Sequence, residues 1–226
     1  MHGLVISSFQ NGIIRKRGTG TLISENSFLT AAHCLYHFDH ADHKFHAAET
    51  VYFIPGGMQR HSLNSRNPFS VQALETNGYL VPEEYLNKDD NYDFGIVKLP
   101  MDLGLKAGYA SVVVLEDEIL EQSRVSISGY PGHKGVISTF FDKPVYDMYT
   151  MSGPITSVKK QKFYYGIDTS GGQSGSGVWI REEDDTISCY GIHVTGSKEE
   201  GNGAVRVTSD NFEMIKRWLK KLKFQN

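Results

Sequence analysis

Residues 168–177 read Asp-Thr-Ser-Gly-Gly-Gln-Ser-Gly-Ser-Gly. Ser174 lies between glycines, and because glycine has no Cβ, the backbone beside this hydroxyl can come close to a bound carbonyl group. These are suitable surroundings for a nucleophile, although a Gly/Ser run alone is more often an ordinary loop. The segment indicates a nucleophilic role for Ser174 only if other parts of the chain supply residues that can activate its hydroxyl.

Two further segments carry residues that could be those partners. Residues 28–34 read Phe-Leu-Thr-Ala-Ala-His-Cys, an apolar strand that runs into small residues. Small residues let the backbone turn tightly and leave the imidazole of His33 at the edge of a cleft. Residues 91–97 read Asn-Tyr-Asp-Phe-Gly-Ile-Val and place Asp93 just before an apolar strand, where the acid can be fixed at the strand's mouth. Each signal is weak when taken alone.

The composition is that of a globular protein. The chain has 226 residues, of which 39% are hydrophobic and 22% charged, and this excludes a disordered, collagen-like or coiled-coil chain. The formal net charge of −3 argues against a dedicated nucleic-acid binder, which usually carries a basic excess. No apolar run approaches the roughly 18 residues of a membrane helix. We therefore expect neither a nucleic-acid partner nor a membrane partner.

The hydrophobic pattern predicts an all-β fold of many short strands. Runs rich in β-branched and aromatic residues are separated by Gly, Asn or Asp, as is typical of barrels and sandwiches. The predicted strands are 4–9, 21–23, 51–54, 94–99, 125–129, 163–167, 177–180, 189–194 and 204–207.

The C-terminal segment is the exception and predicts an α-helix over Ser209 to Phe224. Apolar residues recur there on one face, and Asp210 followed by Glu213 predicts a capping box. We interpret its basic cluster as a solvated face that complements the helix dipole, with an anionic docking patch as the alternative. The cluster consists of Lys216, Arg217, Lys220, Lys221 and Lys223.

The length predicts one two-lobed domain over residues 1–226, since all-β domains of about 200 to 250 residues are common, with two small domains that share a cleft as the alternative. A boundary in the stretch 100–109 divides it into an N-terminal half, 1–105, and a C-terminal half, 106–208, before the helix at 209–224. The functional site is then expected to lie between the two halves.

The N-terminus and the two cysteines bear on localisation. Residues 1–7 lack the basic start and the apolar core of a secretory signal. Either the chain is intracellular, or it is the mature part of a secreted protein. Cys34 and Cys189 could form at most one disulfide, and we expect both to be reduced.

In chain order the three candidates are His33, Asp93 and Ser174, separated by 60 and 81 residues. This order resembles that of the catalytic triad in the trypsin/chymotrypsin-like serine peptidases. The sequence around the triad is similar to that of the bacterial glutamyl endopeptidases over nearly the whole chain, most weakly from about residue 34 to residue 89. The similar segments are 92–96, 127–132, 152–155, 169–177, 191–193 and 203–205.

The resemblance implies two six-stranded antiparallel β-barrels packed face to face, one in each half of the domain, with a C-terminal α-helix. It implies a serine endopeptidase that cleaves after glutamate through an acyl-enzyme. His33 would be the general base, Asp93 would hold its ring, and the N–H groups of Gly172 and Ser174 would bind the oxyanion. This chemistry needs no cofactor or metal. The expected partners are protein or peptide substrates, and a regulatory partner or a longer parent protein is a further alternative.

The resemblance also places Thr169 and His193 at the positions that bind the substrate carboxylate in glutamyl endopeptidases. A hydroxyl and a ring N–H can both donate to a carboxylate. Asp168, however, stands where trypsin-like enzymes place the acid that pairs with lysine or arginine. We expect Asp168 to point away from the pocket. The alternatives are a Lys/Arg-specific peptidase that uses Asp168, and a proteolytically silent binding module with the protease fold.

Three residues depart from the family's pattern. Gln173 replaces the acid that pairs with a newly cut N-terminus in trypsin-like zymogens, so that salt bridge cannot form here. Val194 stands where many relatives have a hydroxyl that supports the triad acid, so Asp93 needs another partner. Gly18 occupies the position of the usual disulfide partner of Cys34, in keeping with a reduced thiol.

Two clusters of possible metal ligands lie outside the triad. Four histidines recur every third residue, and on a 3₁₀ or helical turn they could converge on zinc or nickel. We expect a polar surface loop instead. Residues 182–185, Glu-Glu-Asp-Asp, are expected to form a solvated hairpin tip, with calcium binding as the alternative. The four histidines are His37, His40, His43 and His46.

Overall fold

The computed structural model describes residues 1–56, 73–132, 147–194 and 199–223. The strands are β1 His2–Phe9, β2 Ile14–Leu22, β3 Ser27–Thr30, β4 Tyr36–Asp39, β5 Lys44–Ala47, β6 Thr50–Pro55, β7 Leu74–Thr76, β8 Tyr79–Leu80, β9 Gly95–Lys98, β10 Ser111–Val112, β11 Arg124–Gly129, β12 Tyr149–Val158, β13 Lys162–Tyr165, β14 Gly177–Arg181, β15 Ile187–His193 and β16 Asn202–Arg206. The helices are α1 Ala32–Leu35, α2 Glu83–Leu86, α3 Gly104–Ala107, α4 Asp117–Glu121 and α5 Ser209–Lys223, with a 3₁₀ turn at Asp90–Tyr92.

The first sheet has seven strands in the order β7-β6-β1-β2-β3-β9-β8. Its inner face is apolar, and the rings of Phe28 and Phe53 stack there with their centroids 4.4 Å apart. Val5, Phe9 and Leu22 are fully buried in the same core. Burial of such side chains contributes roughly 1.5 to 3 kcal/mol each, so this core is a main source of stability for the N-terminal half.

The second sheet closes on itself. Its order is β10-β15-β14-β11-β12-β13-β16, and β15 also pairs with β16, which joins six strands in a ring. The barrel interior is filled by Val125, Ile127, Phe163, Tyr165 and Val178. The predicted all-β double barrel with a C-terminal helix is therefore confirmed, with the second barrel closed and the first sheet open at β7 and β8 within the described residues.

All the predicted strands are present, and apart from the start of β2 their ends differ from the predicted ones by at most two residues. Several further strands escaped prediction. β2 begins at Ile14, well before the predicted start at residue 21. Its first half carries Arg15, Lys16 and Arg17, whose charges hide the strand pattern. The cross-strand partners Ile6 and Arg17 show that these residues pair regularly with β1.

The C-terminal helix α5 begins at Ser209, as predicted, and Phe224, its predicted last residue, lies outside the described residues. The predicted capping box is wrong. The N–H of Asn211 donates to Thr208 Oγ1 at 3.2 Å, so the cap is Thr208 rather than Asp210. Among the described residues, no helix is long and apolar enough to cross a membrane.

Helix α5 packs its apolar face against the start of β9. The ring of Trp218 lies 5.7 Å from that of Phe94, and Ile215 and Leu222 are buried in the same cluster. Because Phe94 directly follows Asp93, this packing fixes the backbone beside the candidate acid.

Candidate active site

Strand pairing brings His33 and Asp93 together. β3 and β9 are antiparallel, and Thr30 at the end of β3 faces Gly95 at the start of β9. The chain leaves β3 through two buried alanines and turns into α1, which carries His33. Asp93 lies between the 3₁₀ turn and β9. The two side chains therefore emerge at the same end of adjacent strands although they are 60 residues apart.

Asp93 holds His33 by two hydrogen bonds. Oδ2 of Asp93 lies 2.7 Å from Nδ1 of the imidazole, and Oδ1 accepts from the backbone N–H of His33 at 2.9 Å. Asp93 is only 8% exposed. The backbone N–H of His33 is thus the additional partner that Asp93 needs, because Val194 has no hydroxyl to donate. Both carboxylate oxygens are thus occupied, and the ring orientation is fixed.

The pKa of His33 lies well above its usual value. Burial alone would lower this pKa, but the charges of Cys34 and Asp93, and the hydrogen bonds to them, more than offset that effect. A neighbouring carboxylate stabilises the imidazolium, the form that a general base reaches after it takes a proton.

Ser174 lies in the turn before β14. Three contacts attach this turn to the rest of the site. The N–H of Thr19 donates to Ser174 O at 2.8 Å, and the N–H of Gly175 donates to His193 O at 2.7 Å. The Sγ of Cys34, next to His33, lies 3.8 Å from the same Ser174 carbonyl oxygen. His33 and Ser174 are thereby brought to one site.

Ser174 Oγ makes a long contact of 3.5 Å to the carbonyl oxygen of Val194. Within the described residues this is the only hydrogen bond of the hydroxyl, and none joins it to His33. A hydroxyl held this weakly can rotate toward the imidazole when a substrate binds, and catalytic hydrogen bonds are often loose before substrate arrives.

The loop before Ser174 offers two unpaired N–H groups. In the described part of the chain, neither Gly172 N–H nor Ser174 N–H donates to a carbonyl. Gly171 O accepts from Gly132 N–H at 2.6 Å. Because the C=O and N–H of a trans peptide point in opposite directions, Gly172 N–H is turned away from Gly132. The loop therefore presents a pair of donors of the kind that binds an oxyanion.

Only glycine fits at position 172. Its φ is +98°, and a Cβ added there would lie 2.4 Å from the carbonyl oxygen of Tyr130. Both the left-handed backbone and the close approach exclude a larger residue. The position of the donor pair is therefore built into the sequence at Gly172.

His193 lies at the end of β15 and is 3% exposed. Its Nδ1 is 2.5 Å from the hydroxyl of Tyr165 and 3.1 Å from Gly203 O. Burial, with a smaller contribution from the charge of His33, lowers the pKa of His193 to about 4. The ring is therefore neutral at pH 7, and the backbone carbonyl of His193 accepts from the residue that follows Ser174.

The other two predicted pocket residues lie in the loop after β13. Thr169 is half-buried, and Asp168 is exposed to solvent. An acid at the floor of a pocket would be buried, so the exposure of Asp168 matches the expectation that it points away. Gln173, in contrast, is buried, and its Oε1 accepts from Ser170 N–H at 2.9 Å. Its side chain braces the loop that carries Ser174.

Two residues that contact the site were missed at the level of sequence. Thr19, fully buried on β2, donates from Oγ1 to Gly172 O at 2.9 Å and accepts from Tyr130 N–H at 3.1 Å. Lys16 donates from Nζ to His33 O at 3.2 Å and to Tyr36 O at 3.1 Å. Both partners are distant in sequence, so no local pattern signals these roles.

The two cysteines are buried free thiols. Gly18 lies directly against Cys34, since a Cβ at Gly18 would be 2.4 Å from Cys34 Sγ and 3.0 Å from Ser174 O. The space that a disulfide partner would need is therefore filled by the approach of β2 to the loop that carries Ser174.

The four histidines lie on a two-stranded hairpin and not on a helical turn. β4 pairs with β5, and His37 faces His46. Ligand atoms of Asp39, Asp42 and His46 lie within 4.8 Å of one another, and His46 Nε2 is 2.8 Å from Asp42 Oδ2. The tip is exposed, as predicted for a polar surface loop. Residues 182–185 likewise form the exposed turn between β14 and β15.

Comparison with known proteins identifies the family of the chain. The model of the Trypsin family matches residues 5–219. The chain therefore belongs to the trypsin family.

Among individual relatives, the Glutamyl endopeptidase of Bacillus licheniformis is 28% identical over 207 residues, which cover 88% of this chain and 58% of that protein. A Bacillus subtilis protein named Extracellular metalloprotease is 30% identical over 200 residues, covering 88% of this chain and 57% of that protein. The chain thus spans under three fifths of the length of these relatives. A solved structure of a Glu endopeptidase in complex with MPD superposes with a TM-score of 0.72 at 28% identity, covering 95% of this chain and 88% of the other.

Proposed function

We propose that this protein is a serine endopeptidase that hydrolyses peptide bonds after glutamate through an acyl-enzyme. The observation that carries the proposal is the doubly hydrogen-bonded pair of His33 and Asp93 beside Ser174. A binding role alone gives no reason for a buried carboxylate to hold an imidazole beside the weakly held hydroxyl of Ser174.

In this mechanism His33 takes the proton of Ser174 as the hydroxyl attacks the scissile carbonyl carbon. Asp93 stabilises the imidazolium that forms. The N–H groups of Gly172 and Ser174 donate to the carbonyl oxygen as it gains negative charge. His33 then gives its proton to the leaving amine, and a water molecule, activated by the same imidazole, releases the acyl group. The substrates are proteins or peptides.

The proposed preference for glutamate is supported by the neutral ring of His193, whose backbone carbonyl accepts from the N–H of Gly175, the residue after Ser174. His193 and Thr169 can each donate a hydrogen bond to a substrate carboxylate. The exposed position of Asp168 speaks against the alternative of a Lys/Arg-specific pocket, because a carboxylate in bulk water attracts a substrate cation only weakly.

The test is steady-state cleavage of matched peptides that differ only in the residue on the acyl side of the scissile bond: Glu, Asp, Lys, Arg or Leu. We expect cleavage after Glu to be the fastest and to be abolished in Ser174→Ala. Preference for Lys or Arg would transfer the specificity role to Asp168. Cleavage of none of the peptides would favour the silent binding module.

One relative is named a metalloprotease, so a second experiment tests with a chelator whether cleavage by this protein depends on a metal ion. With a triad mechanism, pre-incubation with EDTA should leave the rate of cleavage after Glu within twofold of the untreated enzyme. Loss of activity that zinc restores would contradict a purely serine-dependent mechanism.

A further inference from the structure

Tyr165 and His193 form a buried pair on neighbouring parts of the second barrel. The hydroxyl of Tyr165 lies 2.5 Å from His193 Nδ1, and both residues are at most 3% exposed. A buried hydroxyl needs an acceptor for its proton. Within the described residues, Nδ1 of His193 is the partner that the structure gives to this hydroxyl.

The second neighbour of Nδ1 is the carbonyl oxygen of Gly203, which does not need a hydrogen bond from the ring. The carbonyl oxygen of Gly203 lies 3.1 Å from Nδ1, but it already accepts from the N–H of Val194, also at 3.1 Å. If Nδ1 carried a hydrogen, the Tyr165 hydroxyl would lose its acceptor while Gly203 O gained a second donor. The arrangement that gives the Tyr165 hydroxyl an acceptor and leaves Gly203 O with its existing donor has Tyr165 as the donor and Nδ1 as the acceptor.

The state of both side chains agrees with this assignment. Burial raises the pKa of Tyr165 well above its usual value, so the phenol keeps its proton. Burial lowers the pKa of His193 to about 4, so the imidazole is neutral and has a single ring hydrogen. With Nδ1 as an acceptor, that hydrogen is on Nε2.

We propose that Tyr165 is a positioning residue that fixes His193 in the Nε2–H form, so that His193 binds the substrate side chain as a neutral hydrogen-bond donor. The specificity half of this proposal rests on the proposed function. A neutral ring also suits its position, because a second cation beside His33 would oppose the imidazolium that the reaction forms.

The first test observes the ring directly. In protein labelled with ¹⁵N-histidine, two-bond ¹H–¹⁵N correlation at pH 7 distinguishes the two neutral forms and the cation, and comparison with His193→Gln assigns the signal. We expect Nε2–H for His193 in the native protein and a shift toward Nδ1–H in Tyr165→Phe, where Gly203 O becomes the remaining partner. Observation of Nδ1–H or a cation in the native protein would overturn the proposal.

The second test measures selectivity. Tyr165→Phe keeps the ring that packs in the barrel, so we expect a folded enzyme whose ratio of kcat/KM for the Glu peptide over the Leu peptide falls about tenfold or more, mostly through KM. The fall follows because an Nε2 lone pair now faces the carboxylate. Turnover of the Leu peptide should stay within threefold.

The control is Tyr164→Phe, which removes a hydroxyl from the adjacent, outward-facing residue of β13 and should leave the ratio unchanged. An unchanged ratio in Tyr165→Phe, or an equal loss with the Leu peptide, would overturn the positioning role. A native enzyme without glutamate preference would contradict the proposed function and the specificity half of this proposal, while the NMR result would still decide the form of the ring.

Discussion

Replacing Asp93 by asparagine probes the core of the mechanism without changing the size of the side chain. In the native protein one carboxylate oxygen accepts from the backbone N–H of His33 at 2.9 Å and the other lies 2.7 Å from Nδ1. The backbone N–H cannot turn away, so the amide oxygen of the introduced asparagine must take the first position. Its NH₂ group then lies against Nδ1 and donates to it. The hydrogen of the neutral imidazole is forced onto Nε2, where it cannot accept the proton of Ser174.

The expected loss follows from this wrong tautomer. For a triad acid such a change lowers kcat by about 10⁴, which corresponds to about 5.4 kcal/mol of transition-state stabilisation. The pKa of His33 should also fall, because the charge of Asp93 is one of the causes that raise it. Since the general base must be neutral, the acidic limb of the pH–rate profile should move to lower pH.

The assay is kcat/KM for the Glu peptide between pH 5 and pH 9, with circular dichroism to verify the fold. Asp90→Asn is a matched control, since it makes the same change on the exposed 3₁₀ turn three residues earlier. Its activity should stay within twofold. If Asp93→Asn kept activity within tenfold of the native enzyme, with an unmoved acidic limb, the proposed role of Asp93 would be refuted.

Two further predictions concern the loop before Ser174, which offers the N–H groups of Gly172 and Ser174, and the pH dependence of the free energy of unfolding. Thr19→Val keeps the shape of the buried side chain but removes the hydroxyl that donates to Gly172 O. We expect its kcat to be about tenfold or more below that of the native enzyme, whereas Thr19→Ser, which keeps the hydroxyl, should retain most of the native kcat. Equal activity of the two variants would show that the hydroxyl does not position the loop. Burial lowers the pKa of His2 to about 3 and that of His193 to about 4, from 6.5. Below about pH 6 the unfolded chain therefore binds protons that the native protein does not, and the free energy of unfolding should fall by about 1.4 kcal/mol per pH unit for each histidine. His33 has the opposite sign, but its contribution changes only above pH 6.5. Urea unfolding at pH 5 and pH 6 measures this change in the free energy of unfolding. If the change between the two pH values were the same in His2→Gln as in the native protein, the predicted contribution of His2 would be contradicted.

The sequence revealed those parts of the site that lie in short, dense motifs. Ser174 stood out because its glycines serve close backbone approach, and Asp93 because an acid immediately precedes an apolar strand. The strands were found where one face is strongly apolar, as in β1 and β15. β2 escaped in its first half, since the three consecutive charged residues 15–17 hide the strand pattern although they pair regularly with β1.

The supporting residues could not be found in this way, because their roles arise from contacts between distant segments. Thr19 reaches a carbonyl 153 residues away, and Tyr165 meets His193 across 28 residues. The histidine hairpin shows the same limit. Spacing alone allowed a helical turn, whereas the cross-strand packing of Phe38 against Phe45 favours a hairpin in which His37 faces His46.

Covalent labelling of Ser174 is the most direct test that this hydroxyl is an activated nucleophile. The native protein is treated briefly with a fluorophosphonate, and its intact mass and peptide map are recorded beside those of Ser174→Ala and of urea-unfolded protein. We predict one adduct, on the peptide that contains Ser174, in the native protein alone. Absence of an adduct from the native protein, or equal labelling after unfolding, would contradict a serine peptidase mechanism at this site.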